Sequence, residues 1–307
     1  MDSMILDRIR GTAVGAAVGD AMGMPLEFSL AVPCDRLVRS MLPGRVPAGM
    51  FTDDSEMAIA LAECLIEHRP LDPQDLAERF VDWLRRSPDD VGIHTSSVLR
   101  LIQGGYDWDT AARTMQRHNP GSAGNGSLMR CWPVALAYWD EPEQRRSDSV
   151  LQSQVTHRHP ECVSACVLVN EIIANLIHGE EIHAAVTHAA QSIPLDPNLV
   201  PLVEQAPGLQ REDLPNSGWI RHTLQSALWG LLTTNSFEEA VVQVVNLGSD
   251  ADTAGSIVGA MAGAAYGLQS IPAEWRETLN GEWPLRTGNH WRAAQFIELA
   301  DRLCGER

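Results

Sequence analysis

Glycine recurs at every fourth position in two widely separated segments, Gly11, Gly15, Gly19 and Gly23 near the start and Gly255, Gly259, Gly263 and Gly267 near the end. Inside a helix each glycine costs about 1 kcal/mol relative to alanine, so eight of them require a compensating gain. A four-residue spacing keeps them near one stripe of each helix, where a neighbour can approach at close range. The pattern predicts two central helices that cross in close contact. Taken alone, it is equally the mark of small-residue core helices with no bearing on function.

Helical periodicity dominates the remainder. Met57, Ala60, Leu61, Cys64 and Leu65 mark a helix over 53–69, and Leu76, Phe80, Val81, Trp83 and Leu84 mark another over 75–86. Further helices are expected at 94–104, 127–139, 146–156, 160–178, 181–191, 218–234, 236–247, 252–268 and 289–304. The β-branched run Val241–Leu247 fits a helix begun at Phe237 as well as a strand. No low-complexity linker divides the 307 residues, so one all-α domain over 1–307 is expected.

The charge balance narrows the function classes. With 23 Lys+Arg against 40 Asp+Glu, the net charge of −17 repels nucleic-acid backbone and anionic lipid. No run of about 20 strongly apolar residues is present, and Asp2, Asp7 and Asp20 argue against a signal peptide. The six cysteines lack a Cys-x-x-Cys pair. Cys162 and Cys166 share a helical face but have no further zinc ligands at hand, so free thiols in a reducing cytoplasm are expected. With no coiled-coil heptads, a monomer is expected.

Acidic residues gather at two helix starts. Thr52-Asp53-Asp54-Ser55-Glu56 opens one helix, with Thr52 at the N-cap, and Ser249-Asp250-Ala251-Asp252-Thr253 opens the second glycine-rich helix. Acids there can simply cap a helix and complement its dipole. Asp20 and Glu27 lie at the end of the first glycine-rich helix. If these groups converge, two carboxylates about 4 Å apart repel by roughly 4 kcal/mol at an effective dielectric near 20. Such a cluster needs cations or protons. Its donors are all oxygens, which favours Mg²⁺ or Mn²⁺ over zinc, in number suited to two ions sharing carboxylates. The spacing excludes an EF-hand.

Two other motifs carry polar chemistry. Gly121–Ser127 precedes a helix expected to begin near Leu128, so free backbone N–H groups could receive a phosphate, although the Gly-Lys-Ser/Thr ending of a P-loop is missing. Thr156-His157, with His159 nearby, is a candidate ligand-contacting or catalytic pair.

Taken in order, Gly19–Gly23 with Glu27-Phe28, Thr52–Met57, Asp90-Val91-Gly92, Gly124–Arg130, Thr156-His157 and Gly248–Thr253 running into Ala262–Gly267 resemble the ADP-ribosylglycohydrolase family, specifically its DraG-like branch. The resemblance spans most of the chain. It implies a compact, orthogonal all-α fold with a binuclear Mg²⁺ or Mn²⁺ centre at the floor of a cleft. It further implies Thr52, Asp53, Asp54, Asp250, Asp252 and Thr253 as metal ligands and Glu27 as an acidic residue at the metals, ligating or gating. Gly124, Asn125, Gly126 and Ser127 would line a diphosphate pocket, and His157 would contact ADP-ribose. Asp90 would face the guanidinium of a modified arginine, a pairing suited to bidentate hydrogen bonding. The chain departs from its relatives at Trp219, where a tyrosine followed by an aspartate three residues on is common. Trp219 can still stack on a base or ribose. Ser127 and Leu128 are bulkier than the residues usual there.

The implied function is metal-dependent removal of ADP-ribose from a modified protein, cleaving the N-glycosidic bond of ADP-ribosyl-arginine with Asp53, or Glu27, as general acid or base. The rivals are hydrolysis of another linkage (serine, a small metabolite or a nucleic-acid base), a non-catalytic ADP-ribose-binding relative, and a phosphatase built on Asp250-x-Asp252-Thr253. The last requires an aspartate at the tip of a buried strand.

Overall fold

The computed structural model describes residues 2–305. Fifteen α-helices follow one another in these residues: α1 (Ser3–Gly23), α2 (Asp53–Glu67), α3 (Pro73–Arg85), α4 (Ile93–Gln103), α5 (Trp108–His118), α6 (Trp132–Ala137), α7 (Pro142–Gln154), α8 (Pro160–Ile177), α9 (Ile182–Ser192), α10 (Val200–Gln205), α11 (Ile220–Thr233), α12 (Phe237–Val245), α13 (Ala251–Tyr266), α14 (Ala273–Thr278) and α15 (Ala293–Cys304). The sheet content is one short antiparallel pair, β1 (Gly281–Glu282) and β2 (His290–Trp291). The fold is all-α.

Helices α1 and α13 form the central pair, and α13 also packs on α8, α11 and α12. Gly11 faces Gly263, Gly15 faces Gly259, Gly19 faces Gly255, and Gly23 faces Ala251. A Cβ built on Gly19 would lie 1.9 Å from the Gly255 carbonyl oxygen, and one on Gly259 would lie 2.1 Å from that of Gly15. The backbones therefore touch, and the dispersion gained along the stripe offsets the propensity lost. The close pairing matches expectation. The two helices run antiparallel and stay in register along the whole stripe. Gly267, however, does not lie inside a helix. It caps α13 at a φ of 82°, a left-handed conformation that glycine adopts without strain.

This pairing brings the C-terminal end of α1 against the N-terminal end of α13, so Glu27 and the Asp250–Thr253 segment become neighbours. Antiparallel backbone bonds hold them there, from Phe28 N–H to the Ser249 carbonyl (2.6 Å) and from Ser249 N–H to the Ser29 carbonyl (2.9 Å).

Several boundaries moved. The helix expected over 127–139 shrinks to α6, because 125–131 is taken up by turns in which Leu128 and Met129 N–H both reach the Asn125 carbonyl. Helices α5, α10 and α14 and the β pair went unread, α10, α14 and the strands because they are short and α5 because its amphipathic pattern carries few apolar residues. In α5 only Ala111 and Ala112 are buried. Helix α8 has the length and apolarity to cross a membrane, yet 78% of it is buried here among the other helices. It carries Cys162 and Cys166, both buried and free of disulfides.

Candidate active site

Two helix N-termini and the end of α1 converge on a cleft of about 500 Å³. Among its lining residues are Glu27, Asp53, Asp54, Asp90, Gly124, Asn125, Gly126, His157, Asp250, Asp252 and Thr253. Three candidates read from the sequence do not line it. The Thr52 hydroxyl turns away to Asp20, 2.8 Å distant. Ser127 is fully buried and accepts a hydrogen bond from the Ser153 hydroxyl at 2.9 Å. Trp219, partly exposed, sits beside the cleft, where its strand-like bridge to Gly124 helps fix the loop.

Asp20 organises the floor. It is completely buried, and its carboxylate accepts from the backbone N–H and hydroxyl of both Thr52 and Ser55, at 2.6–3.2 Å. A residue of α1 thereby caps α2, a task the sequence assigns to Thr52. With its lone pairs occupied, Asp20 serves as a strut that fixes Asp53 and Asp54. On the opposite wall, the Asn125 amide donates to the Asp250 carboxylate (2.7 Å) and the Thr223 hydroxyl (2.9 Å), tying the Gly124–Gly126 loop to α13 and α11. The Thr253 hydroxyl donates to Asp54 across the floor at 3.3 Å.

The electrostatics are severe. Burial, reinforced by Asp90 and Asp252, holds the Asp53 carboxyl well above its ordinary range. Burial and then Asp20 do the same to Asp54, whose Oδ2 is buried without a hydrogen-bond partner. Asp250 is pushed up to about 7, first by burial and then by Asp252. Asp252 rises to about 6 by burial and Asp20, against the pull of Arg45. Ligand oxygens of Glu27, Asp250 and Asp252 lie within 4.8 Å of one another. A set of buried oxygen donors with an orphaned carboxylate oxygen fits a hard divalent cation.

One cation is already present. The Arg45 guanidinium, from the segment between α1 and α2, is paired with Glu27, with Asp90 at 2.9 Å and with Asp252 at 3.4 Å. Sequence reasoning missed Arg45, since a lone arginine in a Pro-Gly-rich segment has no spacing that points to a site 207 residues away.

His157 is buried at the cleft wall, its Nδ1 2.8 Å from the Thr156 hydroxyl. Burial, with His94 and Arg130 nearby, keeps the imidazole well below its ordinary pKa, so the ring is neutral at pH 7.

The sequence model of the ADP-ribosylglycohydrolase family matches residues 1–307. The chain belongs to the ADP-ribosylglycohydrolase family. It is 33% identical over 282 residues to the ADP-ribosyl-[dinitrogen reductase] glycohydrolase of Rhodospirillum rubrum, covering 89% of this chain and 90% of that one. It is 32% identical over 319 residues to the ADP-ribosylarginine hydrolase Tri1 of Pseudomonas putida, covering 98% and 83%. A solved structure described as an ADP-ribosylglycohydrolase-related protein complex superposes with a TM-score of 0.82 at 32% identity, covering 99% of each chain. As an ADP-ribosylglycohydrolase, the chain is a hydrolase that removes ADP-ribose.

Proposed function

We propose that this ADP-ribosylglycohydrolase releases ADP-ribose from modified arginine side chains of proteins, with two Mg²⁺ or Mn²⁺ ions in the acidic cleft. The observation that carries the arginine reading is Asp90 at the cleft wall with a guanidinium, that of Arg45, on its carboxylate. A carboxylate already paired with an internal guanidinium is suited to accept that of a substrate. The arginine specificity in the name of the Pseudomonas relative supports the same choice.

Asp53, Asp54, Asp250, Asp252 and Thr253 would hold the ions, with Glu27 beside them. The bound ions would supply Lewis-acid charge to the ribose hydroxyls. The chain's own residues do the rest. Asp53, in the first turn of α2 and lining the cleft, takes a proton from the attacking water and returns it to the departing nitrogen as the C–N bond breaks. Asp90 steadies the leaving guanidinium. The backbone N–H of Gly126, which lines the cleft, makes no hydrogen bond among the described residues, which leaves it available to a diphosphate oxygen. A cytoplasmic location and a monomeric state are proposed from the sequence alone.

Release of free ADP-ribose from arginine-modified and serine-modified peptides, with Mg²⁺, Mn²⁺ or EDTA, tests this reading. Metal-dependent release from arginine alone is expected. Release from serine alone would remove Asp90 as the selector. Binding of ADP-ribose without release from either would favour a non-catalytic relative.

A further inference from the structure

Behind the cleft wall lies a buried cation with no acidic partner. Arg130 is 0% exposed, and among the described residues no carboxylate pairs with it. Its guanidinium lies 4.4 Å from the centre of the Phe80 ring and donates to the Gln152 side chain (3.3 Å), the Gln152 carbonyl (3.1 Å) and the Thr156 hydroxyl (2.8 Å). Burying a guanidinium is costly, so its remaining contacts need a use.

The proton inventory of those contacts is decisive. Guanidinium nitrogen can only donate, so Thr156 Oγ1 must accept from Arg130. The hydroxyl proton then needs an acceptor, and among the described residues the one it reaches is His157 Nδ1, at 2.8 Å. Nδ1 is therefore bare. Were Nδ1 to carry the proton instead, the threonine hydroxyl would be left as a buried donor without a partner. The carbonyl of Thr156 is fixed independently. It accepts from His94 Nε2 at 3.0 Å, which leaves His94 Nδ1 to accept from the Ser122 hydroxyl at 3.1 Å.

We infer that Arg130 and Thr156 are positioning residues that fix His157 as the tautomer protonated on Nε2, presenting an N–H donor to an acceptor oxygen of the bound diphosphate. Nε2 makes no hydrogen bond among the described residues, and His157 lines the cleft. A Cβ on Gly126 would come within 3.2 Å of Nε2, so the missing side chain leaves that edge of the ring open. The nature of the ligand rests on the proposed function, whereas the tautomer does not.

Long-range ¹H–¹⁵N correlation on ligand-free protein carrying ¹⁵N-histidine reads the tautomer directly. Nδ1 of His157 is expected to be the unprotonated nitrogen. In Thr156→Val the tautomer population shifts and ADP-ribose binding, measured by calorimetry, weakens about tenfold, whereas Thr156→Ser keeps both properties. A proton on Nδ1 in the wild-type protein overturns the inference whether or not any variant folds. So does Thr156→Val with tautomer and affinity both unchanged. If the wild-type protein does not bind ADP-ribose at all, the functional reading fails, and the tautomer still decides this one.

Discussion

The middle of the α1–α13 pair and its cleft end are built from the same two helices under opposite rules. Between Gly11 and Gly19, and between Gly255 and Gly263, no charged residue occurs, and backbone meets backbone. One helical turn further along, Asp20, Glu27, Asp250 and Asp252 crowd together with Asp53 and Asp54 from α2. Every local preference is met in the first region once the glycines touch. In the second, burial and like charge oppose the native arrangement. The contrast shows a rigid seam holding a strained cluster in place, because two backbones in direct contact cannot slide apart to relieve repulsion.

The contrast is open to attack at both ends. The largest effect is expected at the cleft, where Asp53→Asn should lower turnover by at least about a hundredfold while leaving the fold intact, as steady-state kinetics and circular dichroism would report. Full turnover would remove Asp53 from the chemistry. Next is the seam. Gly259→Ala places a Cβ against backbone that cannot yield, and about 3 kcal/mol of stability should be lost in denaturant titration. Gly121→Ala, with nothing within 4 Å of the new Cβ, should stay within about 0.5 kcal/mol of wild type.

Smaller effects should come from relieving the cluster. Asp54→Asn should stabilise the metal-free protein by about 1 kcal/mol while weakening Mn²⁺ binding, a pairing that a purely structural role for Asp54 would not produce. The pH dependence has a definite sign. Asp250 and Asp252 titrate near about 7 and about 6 in the fold against an ordinary value of 3.8, so the folded state holds these protons more tightly than the unfolded chain. Their contribution is complete below the ordinary value and lost as pH rises through the folded ones. The melting temperature of EDTA-treated protein should therefore fall between about pH 4 and about pH 7 and level off above, and saturating Mn²⁺ should flatten the slope. A metal-free protein with no such slope would show that the carboxylates are not crowded in solution.

Much of this site was legible before any coordinates. Asp53, Asp54, Asp250, Asp252 and Thr253 stand at helix starts marked by short motifs, and the glycine stripe pointed to a central pair. Asp20 was visible only as a residue following a glycine. Its role as the cap of α2 needed a contact 32 residues away. Thr52 shows the reverse: its N-cap position was read correctly, but its hydroxyl is drawn to Asp20 and not to its own helix.

Sequence by itself determined the helices with strong apolar periodicity, the seam and the acidic helix starts, because missing Cβ atoms, hydrophobic spacing and capping chemistry act over one or two turns. Tertiary structure alone decided the antiparallel register of the seam, the Arg45 guanidinium among Glu27, Asp90 and Asp252, and the Arg130–Thr156–His157 relay. The register depends on two backbones distant in sequence meeting where Cβ atoms are missing, and the other two on side chains from distant segments meeting in a buried space, where a hydrogen-bond donor or a charge must find whatever partner the packing brings.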